Sequence, residues 1–168
     1  MNLPNSISSA LIVRLKEWEQ GPGGGPALKS YRAPEGTWTI GWGCTGTGID
    51  ESAVWTLDRC EAELSTRLSD IQGSLYRFIS GLTWPGAPIS VTPGQWDALV
   101  SLCYNMCAPA NLPKMAPHFW HDFIAGNDLL AAAELLTIDK ALINGVLTPL
   151  PGLSLRRAWE AVRFLGWV

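Results

Sequence analysis

Glu19 follows Trp18 at the end of a stretch with helical apolar spacing. That placement suits a carboxylic acid that must keep its proton near neutrality. The negative end of a helix dipole disfavours the carboxylate, and the adjacent indole supplies apolar cover. Both push toward the protonated form a general acid needs. The spacing equally allows Glu19 to be a solvated charge beside Lys16 and Glu17. A second segment, Tyr31 to Thr45, carries hydroxyls and tryptophans around a turn signal at Pro34-Glu35-Gly36. Glu35 is a second carboxylate, at the turn. Metal chemistry is poorly served. Cys44, Cys60, Cys103 and Cys107 contain no Cys-x-x-Cys, and His118 and His121 lie apart from them. A nucleotide loop is also excluded, because no Gly-Lys-Ser/Thr follows the glycines at 21–25.

The elements that must position these residues follow from periodicity. Ser6 to Gln20 predicts a helix, with Ile7, Leu11, Leu15 and Trp18 on one face and Ser6 or Ser8 as cap. Gly21 to Pro26 ends it, either as a cap with a flexible loop or as a mobile rim. Residues 28–45 predict a hairpin or three-stranded sheet, in which alternation puts Trp38 and Trp42 on one face and Ile40 on the other. Asp50 is expected to cap a helix carrying Ala53, Val54, Leu57 and Cys60, continued through Leu64 to Ile79. Residues 80–91 read as a loop. Thr92-Pro93 is a strong helix start, followed by an apolar stripe from Trp96 to Tyr104. Cys103 and Cys107, four apart, are expected as small buried apolar residues on one face of it. Short helices are expected at about 115–125 and 128–136, and a last one at about 154–165. Helix, small sheet, then many helices is an α+β order.

Three segments in order resemble the phage-type lysozymes, the bacteriophage T4 and lambdoid endolysin family. They are Trp18-Glu19 with Thr39-Ile40-Gly41-Trp42-Gly43, then Thr92 to Ser101 with Tyr104-Asn105, then Gly152 to Arg157 with Phe164. The resemblance covers nearly the whole chain. It implies one lysozyme-like α+β domain over residues 1–168, with a β lobe at about 21–60. A helical body of 1–20 and 61–168 completes it, and the cleft lies between the lobes. It further implies a muramidase acting on bacterial peptidoglycan, with Glu19 as general acid and Thr39 helping to place water. The family's hairpin-turn aspartate or cysteine falls on Ala33, which can neither accept a proton nor orient water, and its histidine falls on Cys44. Ala33 is compatible with a catalytic variant, with Glu35 as base, with a lytic transglycosylase needing one glutamate, or with a binding module that does not turn over. By the same resemblance Arg156 pairs with the catalytic glutamate and Asn105 is an amide that binds sugar. Trp42 is a candidate stacking surface. Read plainly, Arg156 and Arg157 are surface charges, Asn105 ends a helix and Trp42 packs a core.

Composition narrows the partners. The chain has 168 residues, 47% of them hydrophobic and 16% charged, which supports a packed core. A net charge of -3 argues against nucleic acid as partner. It also departs from the basic character of many phage lysozymes. No run reaches the roughly 20 apolar residues of a membrane span, and residues 1–9 show no secretory signal. The expectation is a monomer without metal or cofactor, made in the cytoplasm and reaching the cell wall by release or delivery.

Overall fold

The structure, a computed structural model, describes residues 2–33, 36–82, 90–106, 108–143 and 145–167. The chain divides into two compact units, one of Ser9–Asp70 and one of Met1–Ser8 with Ile71–Val168. Helices and two small antiparallel sheets make it an α+β protein.

The first unit opens with α1 (Ser9–Trp18), whose Leu11 and Leu15 lie one turn apart and are fully buried. The helix begins later than the periodicity suggests, because Ser8 is engaged elsewhere. Its N–H and hydroxyl both donate to Asp97, at 2.9 and 2.5 Å. The glycine-rich stretch after α1 closes on itself. Gly21 N–H donates to Gly25 O at 2.7 Å, and Gly24 N–H to Gly21 O at 3.0 Å. Then come β1 (Ala27–Arg32), β2 (Trp38–Gly41) and β3 (Cys44–Thr45), in that order across an antiparallel sheet. The register pairs Tyr31 with Thr39 and Ile40 with Cys44. Trp42 does not continue the alternation of β2. Gly41 takes a φ of 63°, open to glycine at no steric cost, and turns the chain before Trp42.

Asp50 does not start a helix. Its carboxylate accepts the N–H and the hydroxyl of Ser52 at 2.8 and 2.6 Å, a local turn that competes with helix formation. Residues 53–55 run beside β1 instead, with Ser30 N–H on Ala53 O and Trp55 N–H on Leu28 O. Thr56 is the true cap, its hydroxyl accepting Arg59 N–H at 3.2 Å. Helix α2 (Leu57–Ser80) then runs unbroken for 24 residues.

In the second unit, α3 (Pro93–Asn105) begins where Thr92-Pro93 predicts. Thr92 Oγ1 accepts Gln95 N–H at 3.2 Å, and Gln95 Oε1 accepts Thr92 N–H at 2.9 Å. This reciprocal cap satisfies two orphan donors. Residues Gly94 to Tyr104 are all buried. A Cβ at Gly94 would collide with the carbonyl of Arg163, so glycine here sets how closely α3 approaches α7 (Pro151–Phe164). Between them lie a 3₁₀ turn (Pro109–Asn111), α4 (Leu112–Met115), α5 (Pro117–Ile124) and α6 (Asp128–Leu135). Phe119, Phe123 and Phe164 cluster with centroids 5.8–6.1 Å apart. Cys103 is buried as expected, while Cys107 lies outside the described residues.

One sheet goes unpredicted. β4 (Lys140–Ile143) and β5 (Val146–Pro149) form an antiparallel hairpin. Val146 and Leu147 are 65% and 66% exposed, so the strand has no alternation of burial to read. The Asn-Gly dipeptide at 144–145 between two apolar runs was the available signal.

Thr92→Ala should destabilise the protein by about 1 kcal/mol through loss of the reciprocal cap. Urea denaturation at unchanged m-value measures it, and an unchanged midpoint would contradict the assignment.

Candidate active site

Glu19 stands immediately after α1, with its N–H on Leu15 O at 2.9 Å. The Gly41–Gly43 reversal comes directly against it. A Cβ built on Gly43 would sit 2.6 Å from Glu19 Oε2. Gly43 also has a φ of 72°, which side chains rarely adopt. Both facts demand glycine, and together they let backbone approach the carboxyl group closely. The reversal is pinned from α2. Trp42 is only 7% exposed, and its Nε1 donates to Glu61 Oε1 at 3.2 Å. Lys16 on α1 donates to Glu61 Oε2 at 2.6 Å and lies 5.4 Å from the Trp42 ring centroid. Arg67 donates to Gly43 O at 3.2 Å. Glu61 and Arg67 therefore fix the turn that meets Glu19. Neither stands out in the sequence, where both are ordinary charges on an amphipathic helix. Burial raises the thiol pKa of the next residue, Cys44, and the nearby Arg67 opposes that rise.

Thr39 lies in the middle strand of the sheet and is buried, its hydroxyl donating to Thr37 O at 3.3 Å. Ala33 closes the strand end. Its N–H donates to Thr37 O at 2.9 Å, and its carbonyl accepts Gly36 N–H at 2.8 Å. The alternative base, Glu35, lies outside the described residues. Glu19, Ala33, Thr39 and Trp42 all belong to the Ser9–Asp70 unit.

Asn105 and Arg156 belong to the other unit. The plain reading of Arg156 and Arg157 as surface charges is wrong, since both are buried. Arg156 donates from Nε to Ser101 Oγ and to Glu160 Oε1, each at 3.3 Å, and from its NH2 group to Ser101 O at 2.9 Å. Ser101 Oγ donates to Glu160 Oε1 at 2.5 Å. Arg157 donates to Ile138 O at 3.1 Å, to Glu160 Oε2 and to Asn105 Oδ1. Burial pulls the Arg157 pKa down, and the Glu160 carboxylate opposes that pull. Glu160, 0% exposed, is the residue sequence reasoning missed. Its signal was the pair of spacings back to Arg156 and Arg157, which bring all three onto one face of α7. Among the described residues, no group of three or more His, Cys, Asp or Glu side chains could hold a metal ion.

Gly43→Ala should cost at least the roughly 1–2 kcal/mol of a left-handed alanine, plus the displacement of Glu19. Gly48→Ala is the control, because Gly48 has a φ of 82° and open space around its Cβ. Denaturation should show the larger loss at Gly43, and equal losses would refute the close approach.

The phage lysozyme family model matches residues 23–160, a span that begins after Glu19. An endolysin of Acyrthosiphon pisum secondary endosymbiont phage 1 is 30% identical over 158 residues, covering 94% of this chain and 97% of that protein. Among solved structures, the endolysin from Escherichia coli O157:H7 phage FAHEc1 matches with a TM-score of 0.76 at 22% identity, over 100% of this chain and 98% of that one. The muramidase domain of SpmX from Asticaccaulis excentricus matches with a TM-score of 0.74 at 27% identity, over 96% and 99%. With its family match spanning most of the sequence and a full-length endolysin relative, this chain belongs to the phage lysozyme family.

Proposed function

We propose that the chain is a peptidoglycan-cleaving muramidase that breaks the β-1,4 bond between N-acetylmuramic acid and N-acetylglucosamine. The observation that carries this reading is the Glu19 carboxyl seated against Gly43, in the turn that follows the Thr39 strand. Glu19 protonates the leaving glycosidic oxygen as general acid. Thr39 positions water or substrate, and Trp42 supports that unit through its packing beneath the turn. Asn105 is the sugar-binding amide of the helical unit, and Arg156, being buried, acts only indirectly, within the ion cluster whose Arg157 holds that amide. Position 33, where the family's aspartate or cysteine would stand, holds a methyl group, so water attack proceeds without a base there and is slow. The protein acts as a monomer on the cell wall, after release or delivery.

Ala33 also favours a second reading. In a lytic transglycosylase the sugar's own hydroxyl attacks the anomeric carbon, and one carboxyl group serves both proton transfers. No water is added, so the product is an anhydro sugar. A non-catalytic wall-binding module is the third outcome the test separates.

Digestion of purified peptidoglycan followed by mass spectrometry of the soluble muropeptides tests the reading. Reducing-end products are expected, and Glu19→Gln should abolish their release. Products one water lighter would replace hydrolysis by the transglycosylase route. Sedimentation on peptidoglycan without release would leave only the binding module. Release that persists in Glu19→Gln would show that the acid is another residue.

A further inference from the structure

A cavity lies within the Ser9–Asp70 unit, between α2 and the loop that follows β3. It encloses about 420 Å³, within the roughly 300–1,000 Å³ of small-molecule sites. Thr45 and Thr47 line it from the loop, and Trp55, Arg59 and Glu63 from α2 and the residues just before it. Trp55 is nearly buried, and the Arg59 guanidinium lies over its ring, 4.5 Å from the centroid. Stacking of this kind holds a planar guanidinium and leaves its N–H edge available to a carboxylate. Glu63 follows one turn later, about 6 Å along the helix axis. The two side chains meet only at 3.9 Å and are 56% and 44% exposed. Arginine before glutamate is also the weaker order for such a pair. Each charge therefore gains little from the other, and a cation and an anion stand side by side at one cavity.

We propose that this cavity takes a free amino-acid end, in which a carboxylate and an ammonium stand on one carbon. The Arg59 fork donates two N–H groups to the carboxylate, and Glu63 accepts from the ammonium. A simple anion would meet Glu63 and a simple cation would meet Arg59, so the pair favours a ligand that carries both charges. The source is a peptidoglycan stem peptide containing diaminopimelate, whose far end bears both groups; this source rests on the lysozyme reading, whereas the zwitterion chemistry does not. Lysine in the same place has the ammonium alone at its far end. The stem hangs from the sugar beside the bond that Glu19 protonates in that reading. Arg67, which also lines the cavity, donates to Gly43 O at 3.2 Å, and Gly43 lies against Glu19. Cavity and acid are thus joined through one turn.

Titration calorimetry of the full chain with soluble peptides is the test, since it needs no turnover. The probes are L-alanyl-γ-D-glutamyl-meso-diaminopimelate and two blocked forms, one with the far-end carboxylate amidated and one with the far-end amine acetylated. The unmodified tripeptide should bind about tenfold or more tightly than either blocked form, the size of one hydrogen bond to a charged group. Arg59→Gln should erase the discrimination against the amide and keep that against the acetylated amine. Glu63→Gln should do the reverse. Both side chains are exposed, so the melting temperature of each variant should stay nearly unchanged. A merely structural role would not produce this crossed pattern. Equal binding of all three peptides, or preferences that survive both substitutions, would overturn the site. Free diaminopimelate binding as tightly as the tripeptide would overturn the stem as its source. No binding of any probe, with muropeptide release from whole peptidoglycan retained, would overturn the site and leave the lysozyme reading intact. Absence of both binding and release would overturn both.

Discussion

The carboxylate of Glu160 is shut away from water in the interior of the helical unit, and a buried charge is tolerated only where partners neutralise it and occupy its lone pairs. Here the partners are the two adjacent guanidiniums of Arg156 and Arg157 and the hydroxyl of Ser101. That requirement fixes much else. Ser101 comes from α3 and the other three from α7, so the cluster demands one register between these helices. The Asp97–Arg163 ion pair at 2.8 Å and the close passage at Gly94 agree with that register. Hydrophobic burial holds the helices together without choosing among sliding positions. The ion cluster and the glycine choose. Asn105, at the end of α3, inherits its orientation from this choice.

The sheet unit solves a similar problem with a different device. Its constraint is steric: the chain reverses against a carboxyl group with room for hydrogen alone. Gly41 and Gly43 supply the left-handed backbone, and Glu61, Lys16 and Arg67 anchor the turn through hydrogen bonds from two helices. Trp42 joins the two halves of this device. It packs as a buried indole and also spends its N–H on Glu61. A carboxyl group held in this way has little freedom to reorganise.

What could be read from sequence tracks the locality of the cause. The α3 start was legible because Thr92, Pro93 and Gln95 settle it among themselves, and β1 and β2 because strand formers flank a strong turn signal. That Glu19 follows directly on the first helix was legible from periodicity, while the glycine against it became meaningful only through contact. Asp50 misled because two good cap residues, Asp50 and Thr56, stand close together, and the pairing of 53–55 with β1 decided between them. The β4–β5 hairpin was hidden because Ile143, Val146 and Leu147 are exposed and leave no alternation of burial to read. Arg156 and Arg157 looked like surface charges because, apart from Glu160 one turn on, their partners Ser101, Asn105 and the Ile138 carbonyl are distant in sequence.

The central claim is that the chain keeps a lysozyme acid in Glu19 and has lost only its hydrolytic partner at position 33. Comparing muropeptide release by Ala33→Asp with that of the parent chain, on the same peptidoglycan and at matched concentration, tests it most directly. A restored general base should raise the rate by roughly a hundredfold or more, with reducing-end products. An unchanged rate would contradict the claim, because water attack would then not be the step that Ala33 limits.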